Sequence, residues 1–165
     1  MKRSDKTSFE IRCLDDNDRA WVRIYLREEW GSEIIVTRGK VHSADLLPGF
    51  IAESDGKPAG LITYRIDRNE CEIISLNSII EKQGVGSALI ETVIGAAKFA
   101  ECDRIWLVTT NDNLSAIGFY QKRGFHLKTI YPNALKKSRR LKPQIPLIGI
   151  NGIPLRDEIE LEIML

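Results

Sequence analysis

The spacing of apolar residues changes several times along the chain, and each change marks an element. Alternation over residues 8–14 (SFEIRCL) predicts a first strand. The acidic run DDND then caps a helix in which Trp21, Ile24, Tyr25 and Glu28/Glu29 recur at helical intervals and which Gly31 closes. From Ser32 to Pro48 periodicity lapses, so this stretch reads as irregular or weakly helical. GFIAES and AGLITYRID, placed around an Asp55-Gly56 turn, have the grammar of a hairpin, and CEIISLNSI extends it into a three-strand meander. Leu89, Ile90, Val93, Ile94 and Ala97 form one apolar helical face ending near Cys102. The run DRIWLVTT is almost wholly apolar, which predicts a central strand buried on both faces. A capped helix, NDNLSAIGFYQKRGF, stops at Gly124, the strand FHLKTIYP follows, and a last strand occupies the final seven residues. The order is strand, helix, irregular segment, meander, helix, strand, helix, strand, strand. It defines an α+β or mixed α/β layer with helices covering a central sheet.

Composition narrows the function classes. A chain of 165 residues is expected to form one domain spanning 1–165 and to bury about two-thirds of its unfolded surface. Lys plus Arg number 24 against 23 for Asp plus Glu, so nothing chain-wide attracts nucleic acid or an anionic membrane. The basic run KKSRRLK (136–142, with Arg139 and Arg140) has no interleaved aromatics and reads as a solvated loop. Cys13, Cys71 and Cys102 are widely spaced and form no C-x-x-C pair, which fits reduced thiols in a cytoplasmic protein with no metal site. Each is read as a small core residue. The N-terminus shows no apolar leader core. The segment IPLIGINGIP, with two Ile-Pro steps around Asn151-Gly152, predicts a bent flap.

Candidate chemistry concentrates in EKQGVGSALIE (81–91). Two glycines at a strand-to-helix turn leave backbone N–H groups free at the positive end of a helix dipole, the requirements for phosphate binding. Ser-Ala follows Gly86 where a P-loop needs Lys-Ser/Thr, so that reading fails. A dinucleotide fold lacks its third glycine and survives as a weak alternative.

Taken with NDNLSAIGFYQKRGFHL about thirty residues later, the segment resembles the GNAT superfamily of acyl-CoA-dependent N-acyltransferases. Asn113, Ala116, Phe119, Tyr120, Gly124 and Phe125 match the second motif of that family at every fixed position. Gly84 and Gly86 match the first, while Glu81 stands where the family prefers Gln or Arg. The resemblance implies a mostly antiparallel mixed sheet splayed between its fourth and fifth strands. It also implies an acetyl-CoA site formed by Leu76, Asn77, Ser78, Glu81, Lys82, Gln83, Gly84, Val85, Gly86, Ser87, Asn113 and Tyr120, with backbone N–H groups of Leu76–Ser78 facing the thioester.

The implied reaction is acetyl transfer to a primary amine of a small molecule or peptide, with no metal, nucleic acid or membrane involved and a homodimer allowed. Tyr120 is the general acid it points to. Glu72 is the leading candidate base, acting through water, and His42 is a second. Other readings stand beside these: Asn113 as a helix cap, Tyr120 as a packed aromatic, Glu72 as an exposed strand residue, and the chain as a coenzyme-binding module without catalysis.

Overall fold

The computed structural model describes residues 8–165; the leaderless reading of residues 1–7 lies outside them. Strands β1 (Glu10–Cys13), β4 (Gly49–Ser54), β5 (Lys57–Asp67), β6 (Glu70–Ser78), β7 (Arg104–Thr110), β8 (His126–Tyr131) and β9 (Glu158–Met164) form a seven-stranded sheet. Its order is β1-β4-β5-β6-β7-β9-β8, and a separate hairpin pairs β2 (Ile34–Thr37) with β3 (Lys40–Ser43). Every neighbouring pair is antiparallel except β6–β7. Helices α2 (Val85–Phe99) and α3 (Leu114–Gln121) cover one face; α1 (Arg19–Trp30), the β2–β3 hairpin and α4 (Ala134–Leu141) cover the other.

The parallel pair is where the sheet comes apart. Its register runs only from Glu70↔Arg104 to Ile73↔Leu107, although β6 continues to Ser78 and β7 to Thr110. Ile74–Ser78 and Val108–Thr110 therefore diverge, giving the expected split between the fourth and fifth strands of the main sheet. A bulge accompanies the split: Thr63 opposes Ser75 and Tyr64 opposes Ile73, leaving Ile74 as the extra residue of β6. One added residue shifts the side-chain alternation. Glu72 and Ile74 before the shift, and Ser75 and Asn77 after it, all face the α1 side, as the contacts of Glu72 with Thr37, Ser75 with Thr63 and Asn77 with Trp30 require.

Several expectations need correction. The stretch from Ser32 to Pro48 is not irregular: β-branched Ile34, Ile35, Val36 and Thr37 form β2, and the Arg38-Gly39 turn closes it onto β3 with φ of 49° and 71°. In α1 the buried residues are Val22 and Leu26, while Ile24 is exposed; Trp21 and Tyr25 stack at 5.1 Å along the edge of the interface. KKSRRL is helical within α4, with Lys142 at its C-terminal cap, and Arg139 turns inward to the carbonyls of Ile145, Pro146 and Leu155, pinning the 145–155 flap. Strand β7 is fully buried on one face only, at Ile105 and Leu107, because Arg104 and Trp106 on the other face line an open cavity. Cys71 and Cys102 are core residues, but Cys13 is exposed. Among the described residues no helix is long and apolar enough to cross a membrane, and no cluster of His, Cys, Asp or Glu is arranged to hold a metal.

Candidate active site

The divergence of β6 from β7 opens a cleft of about 260 Å³ lined from β6 by Ile73–Asn77, from β7 by Leu107–Thr109, and from α3 by Asn113, Ala116 and Tyr120. Unpaired strand edges leave backbone groups turned into this space, which a ligand can satisfy as a further strand would. The seven-residue spacing from Asn113 to Tyr120 puts both on one helix face with Ala116 between them, and all three line the cleft.

Each α3 residue serves two ends. Asn113 caps the helix, its Oδ1 accepting the Ala116 N–H at 3.3 Å, and still borders the cleft. Tyr120 is 9% exposed and makes edge contacts with Phe119 and Phe125 at 5.3 and 5.4 Å. The packed-aromatic and cleft-lining readings thus hold together. Burial pushes the Tyr120 phenol above its ordinary range, with the charge of Arg123 opposing, so the hydroxyl keeps its proton at neutral pH.

Helix α2 begins beside α3. Gly84 caps it in the left-handed region with φ of 80°, and nothing lies within 4 Å of where a Cβ would stand. The first intrahelical bond runs from Ala88 N–H to the Gly84 carbonyl, so the N–H groups of Gly84, Val85, Gly86 and Ser87 have no helical acceptor. An anionic diphosphate fits that open, donor-rich end.

Not every predicted side chain takes part in it. Val85 is 1% exposed and belongs to the core. Gly86 is required by packing, since a Cβ there would meet the Phe119 ring at 3.1 Å. Ser87 Oγ accepts from Arg123 Nε at 2.8 Å, leaving mainly its backbone N–H for a ligand. Glu81 and Lys82 are exposed and Gln83 half-buried. Leu76 lines the cleft, Asn77 receives the indole N–H of Trp30 at 3.0 Å, and Ser78 binds the Ile80 carbonyl at 2.8 Å.

The two candidate bases are joined on the α1 side. Glu72 is 3% exposed and His42, on β3, is 5% exposed, so neither is the surface residue that its segment suggested. Thr37 lies between them, its hydroxyl 2.9 Å from Glu72 Oε1 and 2.8 Å from His42 Nε2. Because one hydroxyl has one proton, donation to an ionised Glu72 requires that His42 donate from Nε2. Burial raises the Glu72 carboxyl, opposed by the Thr37 bond and by Arg65 and Lys40. Burial also lowers the His42 imidazole to about 4, assisted by the charges of Arg65 and Lys40.

Sequence reading missed Thr37, Trp30 and Arg123. It also missed the three glutamates of β9, Glu158, Glu160 and Glu162, which are at most 8% exposed despite alternating with apolar residues like a solvated face. Arg104 binds Glu160 and Glu162 at 2.7 Å each, Tyr131 binds Glu160 at 2.6 Å, and the Arg38 N–H reaches Glu158 at 2.9 Å. The hairpin tip therefore reaches across β7, with Thr37 on β6 and Arg38 on β9. No local pattern announces this arrangement, which depends on a hairpin folding over the sheet from the other end of the chain.

A sheet split at its one parallel pair, with an open helix start and a tyrosine from the next helix at the split, defines an acetyltransferase-type fold. The family described as "Acetyltransferase (GNAT) family" matches residues 7–125. The chain belongs to the GNAT acetyltransferase family. It is 48% identical to the uncharacterized protein YdhI of Bacillus subtilis over 136 residues, covering 82% of this chain and 85% of that one. It is 42% identical to YxbD of the same organism over 139 residues, 84% and 87% of the two chains. Among solved structures, a Bacillus subtilis acetyltransferase in complex with CoA superposes with a TM-score of 0.69 at 20% identity, covering 96% of this chain and 99% of that one. A GNAT acetyltransferase from Elizabethkingia anophelis with acetyl-CoA bound gives 0.68 at 20% identity, with coverage of 98% and 100%.

Proposed function

We propose that the protein transfers an acetyl group from acetyl-CoA to a primary amine. The observation that carries this reading is the cleft at the β6–β7 split, with Tyr120 on its wall and the open start of α2 beside the same helix. The free N–H groups of Gly84–Ser87 would hold the diphosphate, and the unpaired edges of Ile74–Ser78 and Val108–Thr110 the arm that carries the thioester. Acetyl-CoA supplies an activated acyl group with a thiol leaving group.

An alkyl ammonium, with a pKa of about 10.4, must lose a proton before its nitrogen can attack. Glu72 receives that proton through water, since its side chain lines the cavity on the α1 side and the cleft begins only at the next residue, Ile73. Thr37 and His42 hold the carboxylate in position. As the new C–N bond forms and the C–S bond breaks, the nitrogen releases its second proton to solvent, and Tyr120 gives its phenolic proton to sulfur and regains one from solvent. The products are an amide, a free thiol and one proton.

The test is free-thiol release with acetyl-CoA and a panel of amines. Tyr120→Phe is expected to lower kcat by about 10²-fold, the range for a positioned acid, with little change in CoA affinity by calorimetry. Glu72→Gln should remove the acidic limb of the pH–rate profile. An unaltered rate in Tyr120→Phe rejects the acid assignment. CoA binding without turnover of any amine would favour the non-catalytic module instead.

A further inference from the structure

A second cavity, of about 460 Å³, lies on the α1 side of the sheet at the closed end of the β6–β7 pair. It adjoins the cleft: Glu72 and Trp106 line this cavity, and the next residue on each strand, Ile73 and Leu107, lines the cleft. Glu72 forms part of its floor. Its rim comes from two hairpin turns, Arg38–Lys40 of β2–β3 and Asp67–Asn69 of β5–β6.

Most charges around it neutralise one another. Asp67 binds Arg65 at 2.8 Å, and Glu70 binds Arg104 at 3.0 Å. Arg104 also holds Glu160 and Glu162, while Arg38 approaches Glu160 at 3.6 Å. Lys40 and Arg68 are left: neither side chain makes an ion pair or hydrogen bond among the described residues, and both line the cavity. Glu72 is only loosely compensated, by Arg65 at 3.8 Å.

The polarity is therefore directional, an acid on the floor and two unpaired cations at the rim. The turns themselves point the same way. Arg38 and Arg68 sit at φ of 49° and 55°, a left-handed conformation that Gly or Asn adopts more readily. Arg38 is occupied by Glu160 and the Tyr131 ring, whereas nothing among the described residues engages the Arg68 side chain.

We propose that the acceptor is an amine that also carries an anionic group, a carboxylate or a phosphate. Its ammonium end faces Glu72 and the anion is held by Lys40 and Arg68. This rests on the transferase reading and names its substrate class. Glu72 and Arg68 are separated along the β5–β6 hairpin by about 10 Å, from the Glu72↔Arg65 register to the turn three residues on. With a flexible arginine bridging part of that span, compact amino acids and longer ω-amino acids are both within reach.

The test compares α- and ω-amino acids and ω-aminoalkylphosphonates with amino alcohols and diamines of equal chain length, by thiol release with acetyl-CoA. A charge-assisted contact is worth about 1.5–3 kcal/mol, so an anionic amine should exceed its neutral counterpart by about tenfold or more in kcat/KM. Arg68→Gln should abolish most of that preference through KM and leave the rate with the amino alcohol unchanged. The carboxylate and phosphonate arms identify the anion.

Equal rates with amino alcohols, a preference for diamines, or an Arg68→Gln loss shared by every amine would overturn the proposal. The same probes titrated calorimetrically onto wild-type and Arg68→Gln protein separate the two readings. Charge-selective binding that depends on Arg68, without any transfer, keeps the site and rejects the transferase. No selective binding and no selective transfer reject the site.

Discussion

The burial of His42 sets a specific acid sensitivity. Its imidazole, 5% exposed and flanked by Arg65 and Lys40, is held at about 4 against an ordinary value of 6.5. The unfolded chain therefore takes up a proton between these values that the folded chain refuses. Stability from this source is complete above pH 6.5 and is lost as the pH falls toward 4. A gap of 2.5 units corresponds to about 3 kcal/mol over the whole window. Glu72 works in the opposite sense: its folded carboxyl is raised above 4.5, so its contribution is present below that value and lost as the pH rises through the folded one. The net loss on acidification is accordingly smaller than the His42 contribution alone. Urea unfolding of the wild type and His42→Gln, followed by tryptophan fluorescence from pH 7.5 to 4.5, isolates it. Glutamine retains a donor for Thr37 but does not titrate. The variant is expected to start about 1 kcal/mol less stable at pH 7.5 and to lose about 2–3 kcal/mol less than the wild type on acidification. Parallel stability curves would refute the assignment of a buried, neutral His42.

Two further predictions concern the start of α2. Glu81→Gln removes an exposed negative charge three residues before Gly84 and is expected to tighten CoA about threefold at low salt, an advantage that fades at high salt; unchanged calorimetric affinity would mean that the carboxylate points to solvent. Gly86→Ala places a methyl group 3.1 Å from the Phe119 ring, which is held under the Arg123 guanidinium at 3.4 Å and against Tyr120. Stability should fall by only about 1 kcal/mol, with kcat reduced further as the displaced ring shifts Tyr120; an unchanged kcat would show that the contact does not reach the cleft.

What was legible in the sequence was local. The 3.6-residue apolar spacing of α2, the Asp-Gly turn between β4 and β5, and the Asn113–Phe125 pattern each report on neighbours within a few residues, and each element stands where expected. The features that failed depend on contacts between distant segments. Ile34–Thr37 lacks alternation because β2 pairs only with β3 and packs beneath α1 and α4. The glutamates of β9 look solvent-facing because nothing nearby shows that Arg38, Arg104 and Tyr131 will enclose them. His42, Thr37 and Glu72 are joined across 35 residues of sequence, so a candidate list ranks the first and third as rivals where the fold makes them one hydrogen-bonded group.

The bulge at Ile74 explains why the two sides of the site can be built from one strand. Strict alternation would give Glu72, Ile74 and Leu76 one face and Ile73, Ser75 and Asn77 the other. With the extra residue, Ser75 and Asn77 join Glu72 and Ile74 on the α1 side, while Leu76 returns to the α2 side with Tyr120. Glu72 thereby faces the second cavity, Ser75 and Asn77 give the cleft a polar wall on the α1 side, and the apolar edge turns toward α3. The register shift lies one residue past the last β6–β7 pair. A bulge strengthens local twist, and stronger twist carries Ile74–Ser78 away from β7, so the interruption that sorts the side chains also opens the cleft they serve.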